Sequence, residues 1–269
     1  MPRYKITVEY DGGPFVGWQR QDTGPSIQAS LEDAVFAFSG ERVLVQSAGR
    51  TDSGVHAVGQ VAHFDLAKES PLHSVGGALN FHLKPNPIAV PKVELVGAGF
   101  HARFSAVGRR YLYRILNRRA PATLDRGQVW HVPVPLDVDA MAESAAVLVG
   151  HHDFNSFRST ACQSPTSIKT LDQLSVSRRG EEIHIEVASR SFLHNQVRIL
   201  VGTLALVGRG QWTRRDVQEA LAARDRARAG PTAPPHGLCL MEVRYKASAE
   251  GAASAAAYRP DSEEPGDDE

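Results

Sequence analysis

Between two apolar segments lies Ala48-Gly49-Arg50-Thr51-Asp52-Ser53-Gly54-Val55-His56-Ala57. Two readings fit this loop. Asp-Ser-Gly is ordinary turn chemistry, in which the aspartate side chain bonds its own backbone. Alternatively, Asp52 is a working carboxylate: its apolar flanks limit solvent, His56 follows four residues later, and Arg50 two residues earlier is placed to hold it ionised. A lone ionised carboxylate without nearby metal ligands suits covalent nucleophilic catalysis. A paired-carboxylate glycosidase needs a second acid in a similarly sheltered setting, and none stands out.

Other chemistries fail on their own terms. Gly97-Ala98-Gly99-Phe100-His101-Ala102 fits a dinucleotide fingerprint, but Arg103-Phe104-Ser105-Ala106 and a strand follow where a helix should open. There is no P-loop and no Gly-x-Ser-x-Gly elbow. His151-His152-Asp153 places adjacent side chains that cannot face one ion, so one histidine is expected to cap a helix and the other to be solvated. Cys162 and Cys239 are too few for a disulfide framework or a cysteine-only zinc site.

The charge balance points to a polyanion once it is divided along the chain. The 269 residues carry 30 Lys+Arg and 30 Asp+Glu. Seven of the acids and one base, Arg259, fall in residues 248–269, leaving 29 bases and 23 acids, a net of +6, in the preceding 247 residues. No acid occurs between Glu94 and Asp125, a stretch holding Arg103, Arg109, Arg110, Arg114, Arg118 and Arg119. A second acid-free stretch, between Glu186 and Asp216, holds Arg190, Arg198, Arg209, Arg214 and Arg215. Guanidinium forks match phosphate geometry, although a solvated helix or strand face shows the same composition.

The elements that position these residues repeat. Arg3–Tyr10 alternates as a strand, Ser26–Phe38 has helical periodicity, and strands are expected at Val43–Ser47 and Val58–Leu66. A helix at Pro71–Leu83 and a strand at Val90–Ala98 close the first unit. In the second, Arg110–Leu116 reads as a strand, Val138–Val149 as a helix, and Ile168–Ser177 with Ile183–Ala188 as a hairpin. Leu193–Val207 reads as a buried helix, Arg214–Ala223 as a surface helix and Leu240–Tyr245 as the closing strand. Two βαββαβ units predict an α+β protein of two ferredoxin-like (RRM-like) halves, with antiparallel sheets, helices on one face and an active-site cleft between them. The expected divisions are an N-terminal half over 1–107, a C-terminal half over 108–247 and an acidic, disordered tail over 248–269. The N-terminus lacks a signal-peptide core and Ile199–Val207 is too short to span a bilayer, so a cytoplasmic protein without a membrane partner is expected.

Gly49-Arg50-Thr51-Asp52-Ser53-Gly54-Val55-His56-Ala57 resembles the active-site signature of the TruA family of tRNA pseudouridine synthases. Tyr10-Asp11-Gly12 with Phe15-Val16-Gly17-Trp18-Gln19 resembles that family's N-terminal block. Phe100-His101-Ala102-Arg103-Phe104-Ser105-Ala106 and Arg109-Arg110-Tyr111-Leu112-Tyr113 resemble its central block. Asp153-Phe154, Ser156-Phe157 and the segment with Val197-Arg198 and Gly202 resemble its C-terminal half. The likeness spans about residues 3–246. It departs at Leu83-Lys84-Pro85-Asn86-Pro87-Ile88, where the family's usual acid is missing.

The resemblance implies isomerisation of uridine to pseudouridine at positions 38, 39 and 40 of the tRNA anticodon stem-loop, without metal, redox or small-molecule cofactor, by a homodimer. It implies Asp52 as nucleophile, attacking C1′ or C6 or acting through C2′, on a flipped-out base. Tyr111 would pack on or bond the flipped uracil and help move the C5 proton. Arg198 would pair with Asp52, and Arg50 would neutralise Asp52 or fill the space left by the base. Arg103, Arg109 and Arg110, with Lys5 and Arg20, would contact phosphates. A non-catalytic RNA-binding protein and an Asp-nucleophile nucleoside glycosidase are the competing readings.

Overall fold

A computed structural model describes residues 1–246; the acidic segment 248–269 lies outside the described residues. The first half runs β1 (Arg3–Tyr10), α1 (Ile27–Ser39), β2 (Gln46–Ser47), β3 (His56–Asp65), α2 (Leu72–His82) and β4 (Ile88–Val96). The second runs β5 (Ala106–Leu116), β6 (Trp130–His131), α3 (Val138–Ala145), β7 (Gly150–Asp153), β8 (Ile168–Arg179), β9 (Glu182–Ser189), α4 (Gln196–Gly208), α5 (Arg214–Ala223) and β10 (Leu238–Tyr245).

Alternation sets the faces. On β1, Tyr4, Ile6, Val8 and Tyr10 are buried, while Arg3, Lys5, Thr7 and Glu9 point the other way. α1 starts where the Ser26 hydroxyl accepts from Ala29 N and stops at Gly40, whose φ of 74° closes the helix. It lays Ile27, Leu31, Ala34 and Val35 on the β1 core. α4 is apolar all round, and only Arg198 and Leu206 escape burial in it. Segment 230–233 runs against α4 so closely that a Cβ on Gly202 would stand 1.8 Å from the Pro231 carbonyl oxygen.

The α+β class and the mostly antiparallel pairing agree with the sequence pattern. The two expected sheets, however, are one ten-stranded sheet in the order β4-β1-β3-β10-β5-β9-β8-β7, with β2 on β3 and β6 on β5. The last strand of the chain makes the join. β10 runs parallel to β3 through Cys239↔His56 and Leu240↔Ala57, and antiparallel to β5 through Leu240↔Tyr111. The first half therefore leans on a strand contributed by the second, and two apolar cores meet along this seam, with Tyr111 packed against both.

Two local expectations change. The strand expected from Val43 shortens to Gln46–Ser47 because the Val45 amide donates to the Glu32 carboxylate at 3.2 Å, which diverts it from the ladder. The helix expected over Val138–Val149 stops at Ala145 and continues as a 3-10 turn to Leu148; His152 Nε2 donates to the carbonyl of Val149 at its end and His151 is exposed, as expected of the pair. Both histidines lie on β7, where His151 Nδ1 meets the Thr170 hydroxyl. Among the described residues, no helix is long and apolar enough to cross a membrane.

Candidate active site

The loop between β2 and β3 is held from below by the N-terminal block. Trp18 N donates to the Thr51 carbonyl at 3.0 Å. The Tyr10 hydroxyl and Thr51 Oγ1 are 2.8 Å apart. Gln60 Nε2 donates to the Gly49 carbonyl at 2.8 Å and Ser53 Oγ to that of Phe15 at 3.1 Å. Such close backbone approach requires glycine at two positions. A Cβ at Gly12 would sit 2.1 Å from the Val55 carbonyl oxygen, and Gly17, at φ 113°, would press one to 2.8 Å from that of Thr51. The block Tyr10–Trp18 is thus the seat of the Asp52 loop. Within the loop, Val55 N donates to the Asp52 carbonyl, so the turn is closed by backbone and the aspartate side chain is left over for other partners.

Those partners come from the other half. Asp52 Oδ2 lies 3.3 Å from Arg198 Nη1 and Oδ1 lies 3.4 Å from His194 Nε2. The Asp52 side chain is 25% exposed and that of Arg198 15%, so the pair is sheltered but reachable. Arg198 is fixed before it meets the carboxylate: Nε donates to the Ala233 carbonyl at 2.8 Å and Nη1 to Asn195 Oδ1 at 2.9 Å. Asn195 precedes α4 in a left-handed conformation (φ 61°), which asparagine tolerates better than most residues. Its side chain serves Arg198 instead of capping the helix. The backbone of His194 is tied on both sides, with Ser159 N donating to its carbonyl at 3.0 Å and its own amide donating to Cys162 Sγ at 3.5 Å. The carboxylate therefore faces the preplaced Arg198 guanidinium at the first turn of α4, the end of a helix that favours an anion, with the His194 imidazole just before it.

Tyr111 lies on β5 in the same cross-strand row as Leu240 and Val187, and its ring meets Phe192 edge to face at 5.2 Å. Burial holds its phenol proton well above the ordinary tyrosine range, and the neighbouring Tyr10 and Asp52 raise it further. Tyr111 is consequently a neutral hydrogen-bond donor at physiological pH.

Several expected site residues are placed differently. Arg50 is exposed and, among the described residues, makes no ion pair, so the guanidinium on Asp52 is that of Arg198, with the His194 imidazole at its other oxygen. Arg109 is buried and donates to the carbonyls of Ala48 (2.6 Å), Arg103 (3.1 Å) and Arg190, which removes it from the expected phosphate contacts. Arg110 points to the face of β5 opposite Tyr111 and pairs with Glu242 at 3.4 Å. Lys5 pairs with Glu94, and Arg20 with Glu32 and Asp33. Arg114 pairs with Glu182 and Asp125, and Arg118 with Glu181. The stretch without acids in sequence thus meets acids in space. Arg103 remains exposed, its guanidinium over the Phe104 ring. Sequence reasoning missed His194 and Asn195; their only signal is that they stand four and three residues before Arg198, where one helical turn brings side chains together.

Fold and site together define a two-half α+β protein that brings the Asp52 carboxylate to the seam between the halves, where Tyr111 packs against both cores. The family model described as tRNA pseudouridine synthase matches residues 6–105 and 144–246. A protein named tRNA pseudouridine synthase A from Rhodospirillum centenum is 60% identical over 91% of this chain and 100% of its own length. Those so named from Paramagnetospirillum magneticum and Parvibaculum lavamentivorans are 58% and 56% identical, over 92% and 91% of this chain and 97% and 100% of their own lengths. This chain belongs to the tRNA pseudouridine synthase family, a family of pseudouridine-forming isomerases.

Proposed function

We propose that this protein isomerises uridine to pseudouridine at positions 38, 39 and 40 of the tRNA anticodon stem-loop, with Asp52 as nucleophile on a flipped-out base. The observation that carries the reading is the carboxylate of Asp52 between Arg198 and His194, close enough to Tyr111 to bear on its ionisation. A guanidinium beside a carboxylate favours its ionised, nucleophilic form. In the reaction the C1′–N1 bond breaks, uracil turns over, C1′ bonds to C5, and the C5 proton is lost as N1 gains one. Asp52 either takes the ribose at C1′, adds to C6 or opens the reaction at C2′. Tyr111, neutral and half-buried, provides a face for the uracil and a donor for its polar edge, while His194 is the nearest imidazole for the proton that must move. A stacked base does not reach a side chain held this deep, so the uridine leaves the stack first.

The resemblance of the sequence motifs to the TruA family and the names of the relatives support tRNA as the substrate. By the same resemblance, the protein acts in the cytoplasm as a homodimer that bridges one tRNA. Mapping pseudouridine in tRNA from a strain lacking this gene tests the reading. Loss at positions 38 to 40 is expected, and persistence there overturns the assignment. Free uracil as product would instead identify a glycosidase.

A further inference from the structure

Arg109 is buried, yet among the described residues no carboxylate neutralises it. A buried guanidinium is tolerable only when its donors are satisfied, and here three backbone carbonyls from three separate segments do so: Ala48 at the start of the Asp52 loop, Arg103 before β5, and Arg190 after β9. Each segment carries an exposed arginine: Arg50 lies two residues after Ala48, and Arg103 and Arg190 supply the bonded carbonyls themselves. None of the three arginines has an ion-pair partner among the described residues. The charges of Arg103 and Arg190 are close enough to Arg109 to add to the burial that holds its guanidinium below the usual arginine range. Beside Arg103 stands Phe104, 73% exposed, its ring under the Arg103 guanidinium at 5.6 Å and against His101 at 4.3 Å. Arg109 precedes Tyr111 by two residues on β5, so this knot lies on the same face of the sheet as the site.

We propose that Arg109 is the positioning residue of an RNA-backbone grip, in which Arg50, Arg103 and Arg190 hold phosphates next to the target uridine and Phe104 stacks a neighbouring unpaired base. The inference rests on the proposed reaction for the identity of its RNA. Its chemistry is that of exposed guanidinium forks for phosphates and an exposed aromatic face for a base. Because the buried charge of Arg109 is not cancelled, it adds to the positive field of the rim while its fork fixes where the rim stands.

The test is the affinity of the full chain for tRNA across a salt series. Arg103→Ala and Arg190→Ala should each weaken binding several-fold and reduce the slope of log Kd against log salt by about 0.7–0.9, the release of one phosphate contact. Phe104→Ala should weaken binding roughly 5- to 100-fold with the slope unchanged, with recovery in Phe104→Tyr. Arg109→Lys keeps a charge but loses the fork, and should lower the slope by more than either single alanine. Should that variant not fold, the exposed positions carry the test alone. Wild-type slopes in Arg103→Ala and Arg190→Ala would overturn the grip, and wild-type affinity in Phe104→Ala would remove the ring from it. Pseudouridine formation is scored in the same wild-type preparation: formation with unaltered slopes defeats the grip alone, whereas no formation defeats the proposed reaction.

Discussion

Asp52 and Arg198 are 146 residues apart in the chain and meet at 3.3 Å across the join between its halves. The join is built by β10, which runs beside β3 on one edge and β5 on the other, so forming the pair requires the chain to close on itself. Arg198→Met is therefore expected to lower kcat by roughly 10²–10³-fold, the scale for removing one preplaced charged donor. Arg198→Lys recovers little, because the Ala233 and Asn195 contacts use the guanidinium fork. Single-turnover kinetics at saturating tRNA measures this directly.

His194→Ala is expected to reduce kcat by about 10²-fold with KM for tRNA nearly unchanged, since the imidazole touches Asp52 Oδ1 rather than the sheet surface that would carry RNA. A rise in KM without a fall in kcat would assign His194 to binding instead.

The seat of the loop is testable apart from the chemistry. Gly17→Ala combines a φ of 113° with a Cβ 2.8 Å from the Thr51 carbonyl oxygen. It should cost about 1–3 kcal/mol in urea unfolding and lower kcat by displacing Asp52. Tyr10→Phe removes the bond to Thr51 Oγ1 and the long one from Gln60 Nε2 and should cost about 1 kcal/mol, with a smaller effect on rate.

Burial raises the phenols of Tyr10, Tyr111, Tyr113 and Tyr245 above the ordinary range. A group with a raised folded-state pKa contributes stability that is whole below its unfolded value, about 10 for tyrosine, and is lost as pH climbs toward the folded value. Urea midpoints should hence be flat near neutrality with respect to these groups and fall steeply above about pH 10. Tyr111→Phe should leave the neutral midpoint almost unchanged and make the alkaline fall shallower by one proton. An equally steep fall in that variant would show that the Tyr111 phenol ionises freely in the folded protein.

Element order was legible in the sequence because β1, α1 and α5 carry strong periodicity, α4 a long apolar run, and α1 a clear stop at Gly40. The joining of the two sheets was not, because strand order depends on which edges meet, and nothing in Leu240–Tyr245 names β3 as its partner. Asp52 and Arg198 were legible through motif likeness. His194 was not, since a histidine before a helix has no distinctive pattern until the loop carrying Asp52 is brought against it. The charge pattern misled at Arg109, Arg110 and Arg114: acids absent from their own stretch return from β9 and β10, as with Glu182 and Glu242, and backbone carbonyls claim Arg109.

The central claim is that Asp52 performs the isomerisation, and release of tritium from tRNA labelled at uridine C5 tests it most directly. Wild-type protein should release tritium from positions 38 to 40 while the base stays attached, and Asp52→Asn, which keeps the size of the side chain but not its charge, should release none above background. Release by Asp52→Asn at the wild-type rate, or no release by either protein, would contradict the account.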